Sequence, residues 1–232
     1  MLLFLPGLIC DARTFAAQTA AFADSRAVNG YGLADSLPAM ARVVLEQAPE
    51  QFDLFGHSMG GRVAQLVALE YPERVKKLVL ASTGASFPGA AGLPLAMCKE
   101  MIEWGYEKYV REHTIQVGFT DEFVKAQPDR LAAFFRARLG NLCPVEFYLR
   151  HVLSRQSHDT SARLKDIRVP TLVMVGELEG DPRAAMSHRT SSEILAKGIP
   201  NAKFVMLANQ KHNYFASAPA EAHKIIREFL RQ

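Results

Sequence analysis

Phe52-Asp53-Leu54-Phe55-Gly56-His57-Ser58-Met59-Gly60-Gly61-Arg62 is the stretch from which the rest of the chain is read. It opens with an apolar run of strand length and continues into Val63-Ala64-Gln65-Leu66-Val67-Ala68-Leu69, whose composition and period are helical. Between them sits G-x-S-x-G, the pattern of a serine raised on a sharp strand-to-helix turn. Such a turn strains the backbone at the serine, so its neighbours cannot carry bulk. Gly56 and Gly60 clear that space, and Gly61 lets helix and strand pack closely. The helix N-terminus then points at the serine, where its dipole favours developing negative charge. Ser58 is the candidate nucleophile.

On either side of this stretch, apolar strand-length runs alternate with helical ones. Leu2 to Leu5, Arg26 to Val28, Val75 to Ala81, Thr171 to Val175 and Lys203 to Leu207 read as strands. Thr14 to Phe22, Leu37 to Gln47, Ser191 to Lys197 and Glu221 to Leu230 read as helices, with Asp35 or Ser36 available to cap the second of them. That alternation predicts an α/β protein, a parallel sheet with helices on both faces. From about Ser86 to Asp166 the pattern changes to amphipathic helices broken by Gly89, Gly92, Pro94, Gly118, Pro128 and Pro144.

Composition excludes several classes. The 232 residues are 49% hydrophobic and 22% charged, with 27 basic against 24 acidic side chains, a net charge of +3. A balance that close, with no basic block interleaved with aromatics, gives no footing for nucleic acid. Cys10, Cys98 and Cys143 are odd in number and widely spaced, which argues against a disulfide framework or a zinc site and fits a reducing compartment. Met1-Leu2-Leu3-Phe4-Leu5 has no basic segment before it and is cut by Pro6-Gly7, so it reads as a buried strand rather than a secretion signal. Ile9 before Cys10 argues against a lipoprotein site. No apolar run approaches the roughly 20 residues that span a bilayer. We expect a cytoplasmic protein, monomeric or homodimeric, with no membrane or nucleic-acid partner.

A nucleophilic serine needs a base, and the base needs an orienting acid. In a doubly wound sheet these belong at the carboxyl ends of strands. After the strand ending at Val175 comes Gly176-Glu177-Leu178-Glu179-Gly180-Asp181-Pro182, which offers three carboxylates. After the strand ending at Leu207 comes Ala208-Asn209-Gln210-Lys211-His212-Asn213. A loop histidine is ordinarily a polar surface residue. His212, between the last strand and the last helix, is instead the candidate base. His57 reads as packing away from the nucleophile. His113, His151 and His158 fall in the helical insert, and His188 and His223 read as helix-surface residues.

Four stretches carry a resemblance: Leu5-Pro6-Gly7-Leu8-Ile9-Cys10-Asp11, Gly56-His57-Ser58-Met59-Gly60-Gly61, Pro170-Thr171-Leu172-Val173-Met174-Val175-Gly176-Glu177, and His212 followed by Pro219. With them the chain resembles the α/β-hydrolase superfamily, as a small serine carboxylesterase or lactonase-like member. The resemblance implies a mostly parallel sheet of about six strands, trimmed to start at what is usually the third. It also implies a helical cap inserted after the third strand following the N-terminal one. Residues 1–85 and 167–232 would form the core and 86–166 the cap. Ser58 and His212 are implied as nucleophile and base, and the backbone N–H groups of Leu8 and Met59 as oxyanion donors. The order serine, acid, histidine is the order of that fold.

The sequence departs from the pattern at two places. Lys211 stands where relatives carry glycine before the histidine. The usual acid position is Glu179 rather than aspartate, with Asp181 two residues on and Gly180 able to bend the loop so that Asp181 reaches instead. Glu179 is the favoured acid and Asp181 its alternative.

The implied reaction is hydrolysis of a small carboxylic ester, thioester or lactone through an acyl-enzyme, with no metal or organic cofactor. Apolar and aromatic residues of the insert, among them Met97, Trp104, Tyr109, Phe134 and Tyr148, would mostly pack the cap, with a minority lining an apolar acyl pocket. Ser58-Met59-Gly60-Gly61-Arg62 also resembles the elbow of the menaquinone-pathway synthase branch. That leaves a lyase or C–C bond hydrolase as the alternative, with Arg62 a candidate for a substrate carboxylate. A ligand-binding member without turnover is the third reading.

Overall fold

The computed structural model describes residues 1–87, 93–140, 142–180 and 186–232. Strands β1 (Leu2–Leu5), β2 (Ser25–Ala27), β3 (Phe52–His57), β4 (Val75–Ala81), β5 (Thr171–Gly176) and β6 (Lys203–Leu207) form one sheet among these residues. Its order is β2-β1-β3-β4-β5-β6, and every neighbouring pair is parallel. Parallel neighbours require crossovers, which the helices supply. They are α1 (Ala16–Ala21), α2 (Leu37–Gln47), α3 (Met59–Glu70), α4 (Leu93–Trp104), α5 (Tyr106–Gly118), α6 (Asp121–Ala126), α7 (Pro128–Leu139), α8 (Val145–Gln156), α9 (His188–Gly198), α10 (Tyr214–Ser217) and α11 (Pro219–Leu230).

Each central strand feeds two cores because successive side chains point to opposite faces. Leu3, Leu5, Leu54, Leu78, Leu80 and Val173 pack on one side with Met40, Val44, Val63, Val67 and Leu195 from α2, α3 and α9. Phe4, Phe55, Val79, Leu172 and Met174 pack on the other with Phe15, Tyr214, Phe215, Ile226 and Phe229. Burial on both faces is why β1, β5 and the Leu78–Ala81 half of β4 read as near-continuous apolar runs, whereas Lys76 and Lys77 stand where β4 is exposed and half-buried. Edge strand β6 shows the contrast: Phe204 and Met206 are exposed.

The expected elements are present with shifted ends. Thr14 to Phe22 divides into a tight turn at Ala12–Phe15 and then α1, while α9 starts at His188 rather than Ser191. Ser36 occupies the N-cap of α2, but its side chain makes no capping hydrogen bond. Helices α4 to α8 lie between β4 and β5. Met97, Met101, Tyr109, Val110, Tyr148 and Val152 make a core of their own there. Phe119, Phe134 and Phe135 instead join the sheet's aromatic core, so part of the insert is seated directly on the sheet. Among the described residues no helix is long and apolar enough to cross a membrane.

Candidate active site

Ser58 follows β3 and precedes α3, at φ 54° and ψ −115°, a backbone conformation unfavourable for a residue with a Cβ. Surrounding bonds hold it there. Its N–H donates to the Ala81 carbonyl at 2.9 Å, and its own carbonyl accepts from Thr83 Oγ1 at 2.7 Å. The first turn of α3 can press against the end of β1 only without side chains. A Cβ on Gly60 would stand 2.4 Å from the Leu5 carbonyl oxygen, and one on Gly56 would stand 2.5 Å from that of Gly60. Gly61 meets Thr83, beyond the end of β4, so it admits a loop rather than a strand.

That close approach brings the loop after β1 to the serine. A turn from Gly7 to Cys10, closed by Cys10 N–H on the Gly7 carbonyl at 3.2 Å, carries Leu8 and Ile9. Ile9 sits at φ 61°, an outlier for a β-branched residue. Leu8 lines the same cavity as Ser58, while the Met59 side chain is buried in the core beneath.

The loops after β5 and β6 are tied together. Glu177 N–H donates to Leu207 O and Leu178 N–H to Gln210 O, each at 2.9 Å. Glu177 Oε2 accepts from Asn209 N–H at 3.0 Å. This places Glu179 Oε2 2.9 Å from His212 Nδ1. Glu179 is 5% exposed, and a carboxylate so buried needs hydrogen-bond donors. Its other oxygen takes Gly176 N–H at 2.8 Å and the Ser82 hydroxyl. Asp181, the alternative acid, lies outside the described residues. The left-handed backbone of the histidine loop falls at Asn209 (φ 55°), a residue type that tolerates it, so Lys211 can occupy the position where relatives carry glycine. Lys211 Nζ donates to the Gln116 carbonyl at 2.9 Å.

Two histidines flank His212, and neither position was legible in the sequence. His57 lies beneath it, ring centroids 4.6 Å apart, with Nε2 3.1 Å from the His212 carbonyl oxygen. Burial, then the nearby His212, hold its pKa well below the usual histidine range. Because a carbonyl only accepts, the proton of neutral His57 sits on Nε2, and the buried Nδ1 has no partner among the described residues. His188 also lies 4.6 Å from the His212 ring and is likewise held neutral by burial and by His212. It is a cavity residue rather than a helix-surface one. Its one sequence signal was its place in the first turn of the helix after the acid loop. Glu179, His188 and His212 offer ligand atoms within 4.8 Å of one another, the set that could hold a cation.

The remaining candidates sort by contact. His113 lines the cavity. His151 bonds the Ala34 carbonyl at 3.0 Å, His158 is buried, and His223, expected on the surface, is buried against Gln18. Arg62 is buried too, donating to Gly84 O at 3.0 Å and Ser86 O at 3.2 Å. Burial pushes its pKa down to about 9. It holds a loop and does not line the cavity.

One cavity thus brings together Leu8, Ser58, Glu179, His188 and His212 from strand-end loops. Met97, Val110, Val117 and Tyr148 close it from α4, α5 and α8. A serine on a strained turn that shares a cavity with a carboxylate-oriented imidazole is equipped for nucleophilic attack on a carbonyl.

The family model described as serine aminopeptidase, S33, matches residues 26–220. The chain is similar to the pimeloyl-[acyl-carrier protein] methyl ester esterase of Yersinia enterocolitica, 28% identical over 215 residues, 88% of this chain and 80% of that protein. The enzyme of that name from Klebsiella pneumoniae is 31% identical over 199 residues, 82% and 74% of the two chains. The solved enol-lactonase of Burkholderia xenovorans superposes with a TM-score of 0.81 at 19% identity, covering 100% of this chain and 91% of that one.

Proposed function

The chain belongs to the serine aminopeptidase S33 family of α/β-hydrolases, and from that premise we propose that it hydrolyses a small carboxylic ester, thioester or lactone with Ser58, His212 and Glu179. The observation that carries this reading is the 2.9 Å bond from His212 Nδ1 to buried Glu179, on the cavity that Ser58 lines. With Nδ1–H committed to the carboxylate, Nε2 of a neutral His212 keeps a lone pair to accept the Ser58 proton as Ser58 attacks the carbonyl. Backbone N–H groups of Leu8 and Met59 hold the oxyanion, a contribution of about 3–4 kcal/mol per donor in other hydrolases. His212 returns its proton to the leaving alcohol, then activates the water that releases the acyl group. Glu179 stays ionised and stabilises the imidazolium.

In this reading residues 86–166 form a cap over the core of residues 1–85 and 167–232. The cavity walls contributed by α4, α5 and α8 support it. The three free cysteines suit a reducing compartment such as the cytoplasm. Arg62, the residue that suggested a synthase-like elimination, has its terminal nitrogens on backbone carbonyls, so the ester reading is the better supported.

Turnover of p-nitrophenyl acetate and butyrate by the wild type and Ser58→Ala tests the reading, with fluorophosphonate labelling in parallel. Hydrolysis lost in Ser58→Ala is expected. A labelled but inert wild type would move the reaction to the lyase and C–C cleavage class. Neither turnover nor labelling would leave the binding-protein reading.

A further inference from the structure

Resting on the esterase reading above, we propose that the substrate carries a free carboxylate and that Arg138 binds it inside the cavity beside Ser58. Arg138 sits in the last turn of α7 and lines the cavity shared by Ser58 and His212. One terminal nitrogen donates to Cys10 Sγ, on the loop that carries Leu8. A thiol is a weak acceptor, and burial raises the Cys10 pKa, so it stays neutral and does not itself compensate the guanidinium charge. Arg138 Nε is buried and has no hydrogen-bond partner among the described residues. Among the described residues no carboxylate forms an ion pair with Arg138.

A guanidinium with a buried, idle donor is costly unless something else satisfies it. Arg62 shows what a structural arginine looks like in this protein: both terminal nitrogens rest on carbonyl oxygens and the side chain is 2% exposed. Arg138 differs on both counts, being half-buried and facing the cavity. Arg155 lines the same cavity from α8, with its guanidinium carbon 4.2 Å from the Phe87 ring centroid. Among the described residues, the carboxylate that lines the cavity is Glu179, and it is already engaged by His212, Ser82 and Gly176. The cavity is therefore matched to an anion, and the planar fork of an arginine fits a carboxylate best.

The substrate class that follows is a half-ester of a dicarboxylic acid. Its hydrolysis breaks the acyl C–O bond; the water oxygen goes to the acyl carbon, the alcohol leaves protonated, and the carboxylate on Arg138 is unchanged.

The experiment compares kcat/KM for monomethyl succinate, glutarate and adipate, each against its dimethyl ester, in the wild type, Arg138→Gln and Arg138→Lys. Calorimetric binding of the free dicarboxylates accompanies it. For the best chain length the wild type should prefer the monoester by about tenfold or more, the scale of one charge-assisted pair. Arg138→Gln should bring the ratio towards one and weaken dicarboxylate binding similarly, and Arg138→Lys should keep part of both. A wild-type ratio at or below one at every length overturns the proposal, as does an undiminished ratio in Arg138→Gln. Dicarboxylate binding that depends on Arg138 without turnover of any ester would keep the anion site and overturn the ester reading instead.

Discussion

Glu179 reaches His212 Nδ1 at 2.9 Å while its other oxygen is held by Gly176 N–H and the Ser82 hydroxyl. The carboxylate is thus fixed before any substrate arrives, and it fixes the imidazole in turn. Glu179→Gln keeps the shape but permits the wrong histidine tautomer. Loss of kcat should be about 10³–10⁴-fold, the scale of acid-to-amide changes in serine triads. Asp181→Asn should lose far less. Parallel p-nitrophenyl acetate assays decide it, and a larger loss in Asp181→Asn would transfer the acid role.

His57 supports the same imidazole from below, through its ring and through Nε2–H on the His212 carbonyl. His57→Phe keeps a flat ring over Phe215 and removes the hydrogen bond. A carbonyl left without its donor costs about 1–3 kcal/mol, so kcat should fall about tenfold or more with KM little changed. Because His57 acts through His212 and not on substrate, a rise in KM at constant kcat would contradict the positioning role.

How far the sequence reached depends on whether a residue's role is set by its neighbours in the chain or across the fold. Ser58, Gly56 and Gly60 were legible because the strand, the turn and the helix are contiguous, and steric clearance is a local demand, whereas the neighbour of Gly61 is Thr83, set across the fold. Strands β1 and β5, and β4 from Leu78 on, were legible because burial on both faces forces near-continuous apolar runs. His188 and His57 were not, because a single histidine carries no mark of the ring it will stack on. Arg138 was invisible for the same reason, since its contact with Cys10 spans 128 positions. The start of α9 was misplaced because its capping residue Ser187 is followed by the polar run His188-Arg189-Thr190-Ser191-Ser192, with no apolar period to mark the first turn.

Acid should weaken the fold through histidines held neutral. Burial first, then Arg62, pushes the pKa of His158 down to about 3. Its folded pKa is below its unfolded one, so the unfolded chain takes up a proton first as pH falls. Stability is fully present above the unfolded value of about 6.5 and is lost below it, by up to about 1.4 kcal/mol per pH unit. His158→Gln removes that dependence. Urea unfolding at pH 7.5 and 5.0 should show the wild type losing about 2 kcal/mol more than the variant over this interval. Equal losses in the two proteins would mean that His158 is not held neutral.

Arg62 lies one helical turn beyond Ser58, close enough in sequence to suggest a substrate contact, yet its guanidinium is spent on Gly84 O and Ser86 O and packs near the Phe87 ring. These bonds pin the chain as it leaves β4 for the helical insert. Arg62→Gln shortens the side chain and removes both bonds, leaving Gly84 O only its Gln65 Nε2 donor and Ser86 O without the guanidinium, each bond to a charged donor being worth about 1.5–3 kcal/mol. Destabilisation of about 3 kcal/mol or more is expected on denaturant titration. The fraction that remains folded should turn over a neutral ester and a half-ester in the wild-type ratio, because Arg62 does not line the cavity. If Arg62→Gln instead leaves stability intact and collapses that ratio, the anion contact belongs to Arg62, and Arg138 loses the role assigned to it.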